Sequence, residues 1–156
     1  MNERAERAAN DIRERLDALD ATLAQVGDDK WALPCAAEGW TVGTVVHHIA
    51  RALARQRSWL EEDMPHDFSW DDTNELNSRF AAHPMVSSRR DVLALLQAER
   101  RALLDRVASL DDGALDRIVF RFEGKDRSAE RVMRGITVRH IEEHHASIRA
   151  ALEAPA

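Results

Sequence analysis

Four stretches of this chain repeat apolar residues at steps of three and four, and that spacing fits one secondary structure, a helix buried along a single stripe. In the first, Ala5, Ala9, Ile12, Leu16, Leu19, Leu23 and Val26 recur between Glu3 and Val26, and Gly27 ends the run. The second carries Val42, Val45, Val46, Ile49, Leu53 and Leu60; it follows the turn Glu38-Gly39-Trp40, takes Thr41 as its cap, and ends before Pro65. The third opens at Ser88, with Asp91 at capping-box spacing, runs through Val92, Leu96, Glu99, Leu103, Val107 and Leu110, and breaks at 111–113. The fourth, from about Ser128 to Ala154, places Met133, Ile136, His140, His144, Ile148 and Ala151 or Leu152 on one face. Four stripes that must leave water can cover one another, so the expected fold is all-α, a four-helix bundle, in a single domain over residues 1–156.

The composition points the same way: 25 alanines and 20 arginines stand against 6 glycines, 4 prolines and no tyrosine, a usage that favours helix over sheet. Between the second and third helices lies a long polar connection, 64–87, in which Asp71–Ala82 is expected to form a short helix before Pro84. Ile118, Phe120 and Phe122 alternate like a strand, but the run is short and solitary, so an extended loop or a small hairpin is expected there.

Charge and cysteine content exclude several function classes. A formal charge of −6 offers no broad cationic surface for a nucleic acid, and no nucleic-acid partner is expected. The charge-free stretch 39–50 is far shorter than the roughly 20 apolar residues that cross a bilayer. No membrane span is expected. The charged opening and the lone cysteine point to a cytoplasmic protein without disulfides, and Cys35, with no histidine at motif spacing, reads as an inert loop thiol.

The chemistry lies in the fourth stripe. His140 and His144 stand four residues apart, where the pattern calls for leucines, so both imidazoles face inward and could share one metal ion. The alternatives are that one or both are core histidines hydrogen-bonded to acidic neighbours, or that this face is less buried than the pattern implies. Ile141 occupies the position where the zincin motif carries its glutamate, which argues against a zincin protease. A third ligand should come from another helix, and His48 lies beside the apolar stripe of the second helix, whereas His47 points toward solvent. Glu143, one turn from His140, is the candidate catalytic carboxylate, with a solvated or salt-bridged role as the alternative; Glu142 faces away. Glu99 interrupts the third stripe either as a partner of an imidazole or as a carboxylate paired with arginine. Arg51, Arg55 and Arg57 either grip a substrate carboxylate or solubilise their helix, and Trp31, Trp40, Trp59 and Trp70 are candidates to line an apolar substrate mouth, with packing at the helix ends as the favoured alternative for Trp40 and Trp59.

Three pieces, Gly39-Trp40-Thr41-Val42 entering a helix, the histidine in 45–50 eight residues after that tryptophan, and His140 to Ile148, together resemble the DinB-like/YfiT-like metal-binding bundle superfamily. That superfamily also contains the N-terminal domain of mycothiol-dependent maleylpyruvate isomerases. The resemblance runs from about residue 8 to 152 and includes 31–35, which is similar to the isomerase branch, although the C-terminal domain of that branch has no counterpart here. It implies His48, His140 and His144 as ligands of a divalent metal, zinc or nickel, with a low-molecular-weight thiol such as bacillithiol or mycothiol as co-substrate. The implied activity is thiol S-transfer to a small-molecule electrophile, or a related hydrolysis, in a homodimer. A metal-stabilised binding or stress-response protein without turnover is the alternative, and a helical interaction protein without metal is a third class.

Overall fold

The computed structural model describes residues 2–82 and 87–155. Four long helices dominate: α1 (Glu3–Leu23), α3 (Val42–Glu61), α5 (Arg89–Ala108) and α8 (Val138–Glu153), the last continued backwards by a π segment (Val132–Thr137) and α7 (Ala129–Arg131). Each long helix packs on two others, α1 on α5, α5 on α3, α3 on α8 and α8 on α1, which closes a bundle around Ile12, Leu16, Leu19, Ile49, Leu53, Leu96, Leu103 and Ile148. The helices start where side-chain oxygens can satisfy free backbone N–H groups. Asn2 accepts from the amides of Arg4 and Ala5, Thr41 from Thr44, Ser88 from Asp91 and Ser128 from Arg131. The break at 111–113 is itself a cap, Asp111 opening the one-turn helix α6 (Asp112–Asp116).

The connections hold more structure than their composition announces. After α1, the short helix α2 (Asp28–Trp31) leads to β1 (Pro34–Cys35), which pairs antiparallel with β2 (Trp40–Thr41). This two-residue ladder closes the turn 36–39, where Gly39 takes a φ of 72° that a side chain would resist. Within the long connection, β3 (His66–Phe68) and α4 (Trp70–Ala82) form; residues 83–86, Pro84 among them, lie outside the described residues. The alternating run becomes a hairpin, β4 (Ile118–Phe122) and β5 (Lys125–Ser128), turned by Glu123 and Gly124 at φ 48° and 73°. It is not solitary, because β3 joins β4 in parallel and completes a three-stranded sheet. An aromatic cluster holds that sheet to the bundle, with Trp59 of α3 stacked on Phe120 at 4.4 Å between ring centres.

A π segment leads into α8. One extra residue in a helical turn rotates everything beyond it, and π-bulges recur at functional sites for that reason. The fully buried series runs Met133, Thr137, Ile141 and Ile148, so the stripe passes through Thr137 and Ile141 rather than through the neighbouring, half-buried Ile136 and His140. His140 and His144 consequently stand at the margin of the core rather than at its centre.

Candidate metal centre

His48 sits in the middle of α3, two turns after its cap, and is buried with 6% exposure. His140 and His144 lie in the first two turns of α8, which packs against α3. The three rings converge, with centroids 4.9 Å (His48 and His140), 4.8 Å (His48 and His144) and 4.5 Å (His140 and His144) apart. One ligand nitrogen from each lies within 4.8 Å of the others, and the Nε2 atoms of His48 and His140 face one another at 3.0 Å. Two imidazole nitrogens that close share a proton or an ion, since two lone pairs repel.

Burial keeps two of these rings, His48 and His140, neutral. Desolvation, with the neighbouring His144, holds the His48 imidazole down to about 3, and His140 lies well below its ordinary value for the same reasons. Neutral imidazole is the form that binds a metal. His144 is held from behind: its Nδ1 is 2.8 Å from Glu38 Oε1, and Ser147 Oγ donates to Glu38 Oε2. A carboxylate on Nδ1 fixes the ring and leaves Nε2 directed at the other two histidines, the arrangement that outer carboxylates impose on metal-ligating histidines.

The cluster forms one end of a cleft of about 670 Å³ between α3, α4, the sheet and α8. Trp59, Phe68, Phe120 and Phe122 form an apolar wall, and Trp40 and Phe80 pack edge-on against His48 with centroids at 5.1 and 5.3 Å. A helical chain with this constellation is matched by the family model of the DinB superfamily over residues 6–148. The chain belongs to the DinB superfamily. A protein of Geobacillus thermodenitrificans (strain NG80-2) named "Putative metal-dependent hydrolase" is similar to it, 43% identical over 58 residues. That stretch is 35% of this chain and spans 33% of the relative's length. No solved structure matches the chain.

Within this DinB-superfamily bundle, the remaining sequence candidates separate. Glu143 is exposed and lines the cleft beside His140 and His144, whereas Glu142 points away to Arg15. Glu99 takes the arginine rather than an imidazole, with Arg57 Nη2 at 3.3 Å. Arg55 enters the cleft; Arg57 is held by Glu99 and Glu61. Cys35 is fully buried, and burial next to Glu38 pushes its thiol pKa up, so it is a poor nucleophile. His47 departs from the solvent position expected of it: α4 covers it, its ring lies 5.4 Å from Phe80, and its buried Nδ1 has no partner among the described residues. Trp59 and Trp70 line the cleft, and Trp31 packs against Gly43.

Glu38 is the residue that sequence reasoning missed. It was visible only as part of a turn before Trp40, and no periodicity marks it. The β1–β2 ladder, which packs on α8, is what carries it to His144.

Proposed function

We propose that this DinB-superfamily protein is a divalent-metal-dependent enzyme that delivers a water or a low-molecular-weight thiol to a small electrophile, with His48, His140 and His144 as the metal ligands. One observation carries the reading: three imidazoles from two helices converge in an open cleft, one of them held by a largely buried carboxylate. The donor set fits a borderline ion such as zinc or nickel, which favours imidazole nitrogen. The three ligand nitrogens already lie within 4.8 Å of one another, close enough for one ion to be held by all three. When bound, such an ion supplies Lewis acidity and lowers the pKa of a water or thiol toward neutrality.

The chain's own residues do the rest. Glu38 holds the proton on His144 Nδ1 and so keeps Nε2 unprotonated. Glu143, at the cleft rim, receives the proton of the nucleophile at its carboxylate. The aromatic wall and α4 shield the electrophile from bulk water. The hydrolytic branch is supported by the name of the Geobacillus relative, and the thiol branch, with bacillithiol or mycothiol as donor, by the resemblance in sequence.

Elemental analysis of untagged protein tests this reading beside a His140→Ala/His144→Ala variant. About one zinc or nickel per chain, lost in the folded variant, is expected, followed by metal-dependent turnover in a screen of esters, amides and thiol-reactive electrophiles. Folded wild-type protein that is metal-free and refuses added zinc and nickel refutes it. Because the triad bridges α3 and α8, an ion there also ties the bundle together. Loss of stability on chelation with no turnover in any screen favours a metal-stabilised binding protein.

A further inference from the structure

The chain is net acidic, yet the cleft is not. Its lining carries Arg55, Arg127, Arg131 and Arg139 against a single carboxylate, Glu143. Several arginines elsewhere pair with carboxylates, Arg57 with Glu61 and Glu99, Arg100 with Asp17 and Asp20, Arg134 with Asp11, while others, such as Arg106 and Arg117, reach backbone carbonyls. None of the four cleft arginines has a carboxylate at ion-pair distance among the described residues; Arg127 meets only the backbone carbonyl of Asp126. Arg131 and Arg139 are exposed at the rim, and Arg127 is half-buried on β5.

Arg55 occupies the most informative place. It is half-buried on α3, seven residues and two helical turns beyond His48, so the two side chains share one face of the helix and one wall of the cleft. A half-buried guanidinium without a counter-ion is costly unless an anion arrives. One turn further along the same helix stands Trp59, stacked on Phe120, both nearly fully buried and both lining the cleft, with the Nε1 of Trp59 and the Oε1 of Gln56 lacking partners among the described residues.

We propose that the cleft is built for a small organic anion with an apolar body, its carboxylate or phosphate held by Arg55 and its body laid against Trp59 and Phe120. Arg127, Arg131 and Arg139 add a positive field at the mouth that draws anions in from a protein whose overall charge repels them. A planar guanidinium takes two oxygens of such a group at once, which fixes the substrate's orientation relative to the three histidines. This inference deepens the reading of the cleft as a substrate site and rests on it for its catalytic meaning. Its test reads binding with and without the metal, so that the failure of one is distinguishable from that of the other.

The experiment is a titration of full-length protein, as isolated and again after chelation where circular dichroism shows it still folded, with benzoate, phenylacetate and phenyl phosphate, each beside the neutral benzamide, followed by tryptophan fluorescence and calorimetry. Saturable binding of at least one anion is expected, with benzamide at least tenfold weaker and affinity falling as salt rises. Arg55→Gln should weaken the anion at least tenfold, Arg55→Lys less, and the exposed Arg90→Gln, outside the cleft, within twofold of wild type. If Arg55→Gln does not fold, as judged by circular dichroism, the wild-type preference for anion over amide and its salt dependence decide the matter. No saturable binding of any of the three anions, equal affinity for benzamide, or an Arg55→Gln variant that binds like wild type overturns the proposal. A preference for phenyl phosphate over both carboxylates identifies the anion as a phosphate ester, and the reverse identifies a carboxylate.

Discussion

Removing the carboxylate of Glu38 should loosen metal binding without touching a ligand. Glu38 is only 12% exposed, and its two oxygens hold His144 Nδ1 and Ser147 Oγ. Glu38→Ala removes both contacts and frees the His144 ring to rotate or to carry its proton on Nε2, where it cannot bind a metal. Loss of such an outer partner typically weakens metal affinity by about 10–100-fold, or about 1.4–2.8 kcal/mol. Glu38→Gln keeps the shape and one acceptor oxygen but loses the negative charge, so it should fall between Glu38→Ala and wild type. A competition titration with a chromophoric zinc chelator gives these affinities directly, and circular dichroism checks that each variant is folded. If folded Glu38→Ala binds zinc within twofold of wild type, Glu38 does not orient a ligand, and the argument from its geometry fails.

Other perturbations probe the scaffold. At Gly43 a Cβ would lie 2.3 Å from Trp31 Nε1, so Gly43→Ala should destabilise by about 1–3 kcal/mol, whereas Gly135 has open space and Gly135→Ala should stabilise by about 0.5–1 kcal/mol; urea unfolding of both variants reads the opposite signs. Placing the zincin glutamate with Ile141→Glu should create no catalytic base: Ile141 is fully buried in the core, so a carboxylate there costs several kcal/mol, seen as a lowered thermal midpoint with no new hydrolysis. Acid should weaken the metal-free protein early. His48 and His140, with His47 and His145, have depressed pKa values when folded, so the unfolded chain binds more protons, and stability falls as pH drops below about 6.5, the ordinary imidazole value. Urea unfolding at pH 7.5, 6.5 and 5.5 should show that slope reduced in His48→Gln; a flat profile in wild type contradicts it.

The sequence by itself determined the bundle. Periodicity of three and four names the faces that must be buried, and short-range caps at Thr41, Ser88 and Ser128 set where helices begin, because both effects act within a few residues of chain. The same logic exposed the three histidines, which break an apolar stripe or border one, and among the described residues no helix is long and apolar enough to cross a membrane. Tertiary structure decided the rest. The strand 66–68 has no alternating pattern of its own and exists because β4 offers it an edge. His140 and His144 stand half-buried at the margin of the core, while the fully buried stripe passes through Thr137 and Ile141, a difference of one residue that side-chain pattern alone does not register. Glu38 meets His144 across 106 residues of chain, and the four cleft arginines come to one cleft from α3, β5, α7 and α8. Contacts so distant in sequence leave no local periodicity, so only the packed chain brings their charges into one cleft.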